Sequence, residues 1–450
     1  MRHSRLGCGE RFVRIITGDG ACATHDPLCK ASTVTEGVTF FADQLDTYGP
    51  TVIASGRGRI PSLSCFDEWT VDRKELLKGV RKVVVKIGTA ALSDGRGRLD
   101  EARVRRMADQ VHALRTRGLH VVIVTSGAIG AGMSLLGLEK RPTRLPELQA
   151  CAAVGQGRLT AVYDRCFRRK GYHAAQMLLT RKDFDYRHRY LNASNTIQSL
   201  LAYGAVPLIN ENDTISVEEM SLTFTDNDIL AALVTNLLGA DMLVILTVED
   251  GLYENPEAAP AERRVVETVE NVSDATRGMA SKNMSSGGRG GMRSKIEAAG
   301  MVASAGNVVV IANALTPRVL EKIFDGETAG TLFLPARKRM AGKKRWMRYG
   351  SRPKGRVIVD AGSRKALVER GKSLLPSGIL RAEGVFQRGD LVAVCDDSGE
   401  EFARGLTNYN AEEIGRIAGL KSAAVRRVLG DARYDEAIHR DHMAVSETRG

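Results

Sequence analysis

Between Lys82 and Ile311 the chain alternates short apolar runs with segments of helical spacing. No other feature limits the fold as strongly. The runs are KVVVKI (Lys82 to Ile87), HVVIV (His120 to Val124), Val206 to Ile209, Met242 to Thr247 and Asn307 to Ile311. They do not alternate polar with apolar residues, as expected of strands covered on both faces. Between them, Leu99 to Arg117 places Val104, Met107, Val111 and Leu114 on one helical face and ends at Gly118. Helical patterns also cover Pro146 to Lys170, Leu191 to Tyr203, Ile229 to Leu238 and Met292 to Ala305, and His173 to Leu179 reads as a further strand. Strands alternating with helices predict right-handed crossovers and a mostly parallel sheet between two helical layers, a three-layer αβα domain. In such sheets the ligand crevice lies at the carboxyl ends of the strands.

Those strand ends carry chemistry. The run Val206 to Ile209 finishes in Asn210, Glu211, Asn212 and Asp213, and a second cluster, Asp226, Asn227 and Asp228, opens the run Ile229 to Leu238. Two acid–amide clusters around one loop suit a small zwitterion. Carboxylates hold its ammonium, while amides and backbone N–H groups hold its carboxylate. Taken alone, the same residues read equally as a surface loop with Asx turns and a helix cap.

Three other strand-to-helix turns favour phosphate. VVVKIGT ends in Lys86 and Gly88, Ile123 to Gly132 is a small-residue turn entering a helix, and Ser285 to Ala299 is Gly-rich with Lys295 in its first helical turns. Each is weak by itself, because Gly-rich loops are often linkers. Neither a Walker A pattern nor GxGxxG is present, which counts against P-loop and Rossmann readings. Together the turns describe phosphoryl transfer, where positioning and charge neutralisation supply most of the catalysis. A carboxylate acceptor is already ionised at neutral pH and needs no general base. His112, His120, His173 and His188 are then packing or surface residues.

The length of 450 residues allows two or three domains, and the net charge of +12 points to anionic partners such as nucleotides, acidic substrates or RNA. The seven cysteines show no framework spacing, and Cys22, His25 and Cys29 lack a second metal-binding pair. A reducing compartment is expected. No run reaches the roughly 18 apolar residues of a membrane span, and no leader is recognisable, so the expected location is cytoplasmic. Residues 1–79 keep no period and are expected to be a poorly ordered extension. Residues 80–335 form the αβα domain. Ala336 to Arg356 holds Arg and Lys throughout and no acid, and reads as an exposed connector, with the linker placed at 336–353. Short strands with Gly turns over 354–443 predict a small β-barrel-like domain, followed by a tail at 444–450.

The blocks VVVKIGT, VTSGAI, AAVGQ, QMLLT, RYLNA, VPLINEND, DND, GLY, GGM and SLLP, in this order, resemble the glutamate 5-kinases of the amino acid kinase family. The resemblance runs from about Val80 into the C-terminal region. It implies ATP-dependent phosphorylation of the γ-carboxylate of L-glutamate to γ-glutamyl phosphate, with Mg²⁺ held mainly through the nucleotide. It implies that Lys86 and Lys295 meet the transferring phosphoryl group and that Asp228 holds the two lysines. Ser126, Asp213 and Asn227 match substrate-binding positions. Lys86, Gly88, Thr247, Val248, Arg289, Gly290, Gly291, Met292, Arg293, Ser294 and Lys295 match the nucleotide site. Val248 stands where the family commonly has an acid, and Arg289 and Ser294 stand where Thr is frequent. The family further implies proline as feedback inhibitor, a homo-oligomer, and a downstream reductase as partner. The block from Lys354 to about Met443 resembles a PUA domain, a module that binds RNA elsewhere, although Trp346, Tyr349 and Phe386 offer few rings for stacking. Acetylglutamate, aspartate, uridylate and carbamate kinases are the near alternatives, and the INEND–DND pair with the PUA-like block argues against each. An RNA-binding protein led by its C-terminal module, and a kinase shell without activity, are the alternatives from other classes.

Overall fold

Val83, Val84, Val85 and Ile87 are fully buried, as are Met242 to Leu246. Strands apolar on both faces need cover on both faces, and here helices supply it. The structure is a computed structural model that describes residues 5–6, 11–12, 14–17, 51–54, 72–215, 227–280, 291–337, 339–430 and 434–445. Most of the extension expected at 1–79 lies outside these residues. Its last residues do not: Arg73–Leu77 forms a helical turn capped by Asp72, with Arg73 and Leu77 buried against the body that follows.

The strands of that body are β1 (Lys82–Ile87), β2 (His120–Thr125), β3 (Ala174–Leu179), β4 (Val206–Glu211), β5 (Met242–Thr247), β6 (Thr268–Val269), β7 (Val308–Asn313) and β8 (Thr331–Phe333). They form one sheet in the order β6-β8-β7-β5-β1-β2-β4-β3. The run from β7 to β3 is parallel throughout, while β8 pairs antiparallel with β7. The long helices are α1 (Glu101–Thr116), α2 (Ala128–Leu135), α3 (Leu145–Arg168), α4 (Arg187–Ala202), α5 (Asn227–Leu238) and α6 (Met292–Ala303). In α1, Asp100 accepts from the N–H groups of Ala102 and Arg103, and Val104, Met107, Val111 and Leu114 are the buried stripe.

The small residues after β2 serve packing. A Cβ on Gly132 would lie 1.8 Å from the Cys151 carbonyl oxygen, and one on Gly155 would lie 1.8 Å from that of Ala128. Helices α2 and α3 therefore cross backbone to backbone, which only glycine permits. The crossing fixes the start of α2, where Gly127 sits at φ +102°, relative to the residues of α3.

The C-terminal domain has a five-stranded sheet of its own, formed by β9 (Gly355–Val359), β10 (Ile379–Gly384), β11 (Leu391–Cys395), β12 (Glu401–Leu406) and β13 (Met443–Val445), in the order β10-β9-β11-β12-β13. Only the β9–β11 pair is parallel. Val357, Val359, Phe386, Val392, Val394, Tyr409 and Ile414 fill its core. Strand β13 uses residues that the sequence reading had placed in the tail.

The basic connector is exposed only in part. Trp346 and Met347 are buried within the hydrophobic core of the αβα body, alongside Tyr190, Leu237 and Leu238. Trp346 Nε1 donates to the Phe184 carbonyl at 3.1 Å, and Arg345 Nε donates to the Asn236 carbonyl at 3.0 Å. On the other side, Arg348 donates to the Val445 carbonyl at 3.0 Å, and Arg404 donates to the Arg348 carbonyl at 2.9 Å. Arginine stems lie along apolar surface while their guanidinium groups satisfy carbonyls, so a run of cations need not be solvated. Trp346→Ala should then cost about 3–5 kcal/mol of stability in urea unfolding, the range for emptying a buried aromatic site. A loss under about 0.5 kcal/mol, typical of surface positions, would mark this segment as a loose linker.

Among the described residues, no helix is long and apolar enough to cross a membrane. Cys151, Cys166 and Cys395 are free thiols.

Candidate functional site

Lysine at the end of a buried strand needs an anion, and Lys86 finds one. Its Nζ lies 2.6 Å from Asp228 Oδ1, and Lys295 Nζ lies 3.0 Å from Asp228 Oδ2. Lys86 comes from β1, Asp228 from the first turn of α5 and Lys295 from the first turn of α6, so three separate elements converge. All three side chains are buried, at 5%, 0% and 6% exposure. Ser294 Oγ lies 3.2 Å from Asp228 Oδ2 and 3.0 Å from the Gly291 carbonyl, which ties the start of α6 to the same carboxylate. Burial pushes the Asp228 carboxyl upward, but the two lysines outweigh it and hold the group at about 2. The carboxylate stays ionised. Among the described residues, two ammonium groups share this one carboxylate, an arrangement that suits a further anion.

Asn227, the neighbour of Asp228, holds a second cluster. Its Nδ2 lies 3.0 Å from the Thr125 carbonyl, 2.8 Å from Ser126 Oγ and 3.0 Å from Asn210 Oδ1. The ends of β2, β4 and α5 therefore meet at one point beside the lysine–aspartate cluster. Asn210 Nδ2 in turn donates to Gln156 Oε1 at 2.8 Å, reaching α3.

The predicted site residues thus fall into groups. Lys86, Asp228, Lys295 and Ser294 come together, as do Ser126 and Asn227. Gly88 follows Lys86 and donates its N–H to the Leu246 carbonyl at 3.1 Å, stitching the end of β1 to β5. A Cβ on Gly88 would stand at ordinary contact distance, 3.6 Å, from Lys86 Nζ. Thr247 and Val248 are half-buried at the end of β5, next to β1 in the sheet. Asp213 is half-buried just past β4, and Gly291, Met292 and Arg293 open α6. Arg289, Gly290 and Asp226 lie outside the described residues.

Gln156 was not among the predicted site residues, and Asn210 was named only as a member of the first acid–amide cluster. Gln156 had a readable signal: it sits on the face of α3 shared by Ala152, Leu159 and Tyr163, where a buried amide must find a partner. Among the described residues, no group of three or more His, Cys, Asp or Glu is placed to hold a metal.

Comparison with known proteins identifies the family. Residues 81–313 match the amino acid kinase family, and residues 355–429 match the PUA domain. The chain is 44% identical over 366 residues to the glutamate 5-kinase of Thermoanaerobacter sp. (strain X514), covering 81% of this chain and 98% of that one. It is 44% identical over 373 residues to the glutamate 5-kinase of Geobacter metallireducens, covering 83% and 100%. With the glutamate 5-kinase of Methylococcus capsulatus it shares 45% over 371 residues, covering 82% and 98%. The solved carbamate kinase from Giardia lamblia bound to AMP-PNP is a more distant likeness, at 17% identity and a TM-score of 0.41, covering 57% of this chain and 99% of that one. From β1 to β7 and across the PUA sheet, this chain belongs to the amino acid kinase family, and within it to the glutamate 5-kinases.

Proposed function

We propose that the protein transfers the γ-phosphoryl group of ATP to the γ-carboxylate of L-glutamate, forming γ-glutamyl phosphate, the first step of proline biosynthesis. The observation that carries this reading is the buried pair of lysines sharing one carboxylate. Two ammonium groups converging on one point suit the transferring phosphoryl group, whose charge they would neutralise. Lys86 and Lys295 stabilise charge on its oxygens, Asp228 sets the spacing of the two ammonium groups, and the acceptor carboxylate attacks in line.

Ser126, Asn227 and Asp213 hold the amino acid. Gly88, Thr247, Val248 and the start of α6, together with Arg289 and Gly290 before it, hold the nucleotide. Mg²⁺, held mainly through the nucleotide, would supply further charge neutralisation there. An acyl phosphate hydrolyses readily, so the product calls for a consuming partner, a reductase. Arg339, Arg345 and Arg348 each donate to protein carbonyls. An RNA partner then rests on the PUA domain.

The test is to trap the product. Incubation with MgATP, L-glutamate and hydroxylamine should yield γ-glutamyl hydroxamate, with aspartate and N-acetylglutamate giving none. Proline, which offers the same α-carboxylate beside a secondary ammonium, should raise the glutamate concentration needed for half-maximal rate. Hydroxamate from N-acetylglutamate or aspartate instead of glutamate would overturn the substrate, and none from any acceptor would overturn the reaction.

A further inference from the structure

Lys86, Asp228 and Lys295 meet at one end of three elements, and the connector joins the other ends. Strand β1 is hydrogen-bonded to β2 on one side and to β5 on the other, which fixes Lys86 in the sheet. Helices α5 and α6 share the apolar core with that sheet but no such ladder. Apolar burial is non-directional, so the axial position of each helix needs directional contacts.

A helix leaves its last carbonyls without intrahelical donors, and the connector supplies them. At the end of α5, Arg345 Nε donates to the Asn236 carbonyl at 3.0 Å, where the helix dipole also favours a cation. At the end of α6, the Ala336 N–H donates to the Ala303 carbonyl at 2.8 Å, and the Met340 N–H to the Ala305 carbonyl at 3.0 Å. Gly306 permits this approach: it stands at φ +87°, and a Cβ there would lie 2.6 Å from Arg339 Cα. Ser304 Oγ lies 2.5 Å from both the Gly300 carbonyl and the Tyr349 hydroxyl. The carbonyl can only accept, so the Ser304 proton goes to Gly300 and Tyr349 donates to Ser304. The connector is also seated on the sheet. Arg339 lies 3.0 Å from Asp241 Oδ1, and Asp241 Oδ2 accepts from the N–H groups of Arg81 and Lys82 at the start of β1.

We propose that Arg345 and Tyr349 are positioning residues for phosphoryl transfer: the connector is a bracket on the sheet that holds α5 and α6 from their far ends and so sets where Asp228 and Lys295 stand against Lys86. Asn236 and Ser304 lie roughly 12–14 Å along their helices from Asp228 and Lys295, by helical rise. Packed helices slide as units, so a shift at one end reappears at the other. The inference rests on the roles proposed above for the two lysines and Asp228, and adds what places them.

The test loosens one helix at a time. Tyr349→Phe removes a single hydroxyl and releases α6, while Arg345→Met keeps an apolar stem, loses the donors and releases α5. Small misplacements of reacting groups are costly, so Tyr349→Phe should lower kcat about fivefold and Arg345→Met about tenfold. The glutamate KM separates the two. Helix α6 carries Lys295 but none of the proposed amino-acid contacts, so Tyr349→Phe should leave that KM within roughly twofold of wild type. Asn227 shares the first turn of α5 with Asp228, so Arg345→Met should raise it about threefold or more. Urea midpoints are measured alongside, with the assays kept well below the unfolding transition. Tyr349→Phe leaves packing intact and decides the matter by itself if Arg345→Met does not fold. Wild-type kcat per folded molecule in Tyr349→Phe, with only the urea midpoint lowered, would overturn the proposal. A glutamate KM raised equally in both variants would do the same. Wild-type protein that forms no γ-glutamyl hydroxamate would overturn the phosphoryl-transfer reading and this inference with it. Normal wild-type turnover with unaltered variants would overturn the bracket alone.

Discussion

Replacing Lys295 with alanine should lower kcat by about 10²–10³, the usual consequence of removing one preorganised donor from developing transition-state charge. The glutamate KM should change little, because the amino-acid cluster around Asn227 is left in place, and a loss in kcat without a loss in substrate binding is the mark of a transition-state contact. Stability should behave differently. With Lys295 gone, Lys86 and Asp228 remain 2.6 Å apart as a neutral pair, so the Asp228 carboxylate keeps a counter-ion. Unfolding in urea should therefore move by no more than about 1 kcal/mol, near the centre of the distribution for single substitutions. Steady-state kinetics beside a urea titration checks both halves. Turnover within threefold of wild type would remove Lys295 from the reaction. A collapse of stability would mean that the lysine is a structural counter-ion instead.

Much of this site was legible because its residues sit where local rules already speak. Lys86 ends a run of buried valines, Asp228 opens an apolar helix, and Lys295 follows a Gly-rich loop, so each was marked by a conflict between its charge and its surroundings. The central strands were equally plain, since runs such as Met242 to Thr247 have no polar face to turn to water. Positions whose meaning depends on distant partners were read less well. Gly132 and Gly155 lie 23 residues apart in sequence, and nothing local distinguishes a glycine that admits a helix from one that cradles a phosphate. The connector was misread because a cluster of arginines normally means solvent. Here Arg345 reaches the carbonyl of Asn236 near the end of α5, while Trp346 enters the core beside it. Gln156 was hidden by its context, as a polar residue on a stripe that otherwise reads as packing.

Asp228→Asn should be the most damaging of the conservative changes, and for the opposite reason to Lys295→Ala. The shape is kept, but two buried ammonium groups face each other with no carboxylate between them. Breaking a buried pair by removing one charge costs about 3–5 kcal/mol, and one lysine is expected to shed its proton in relief. Turnover should fall at least as far as in Lys295→Ala, since a neutral lysine no longer stabilises phosphoryl charge. Two further readouts separate this account from a general packing defect. MgATP, by returning negative charge to the cluster, should raise the melting temperature of the variant more than that of the wild type. The acid limb should also change. In the wild type Asp228 is held at about 2, below the ordinary value of 3.8, so its contribution to stability is complete above about pH 4. That contribution is lost as the pH falls through about 2. The variant has no such group, so its stability should fall less steeply over the same window. Parallel acid limbs for the two proteins, with no extra stabilisation by MgATP, would mean that Asp228 is not the charge that holds the two lysines.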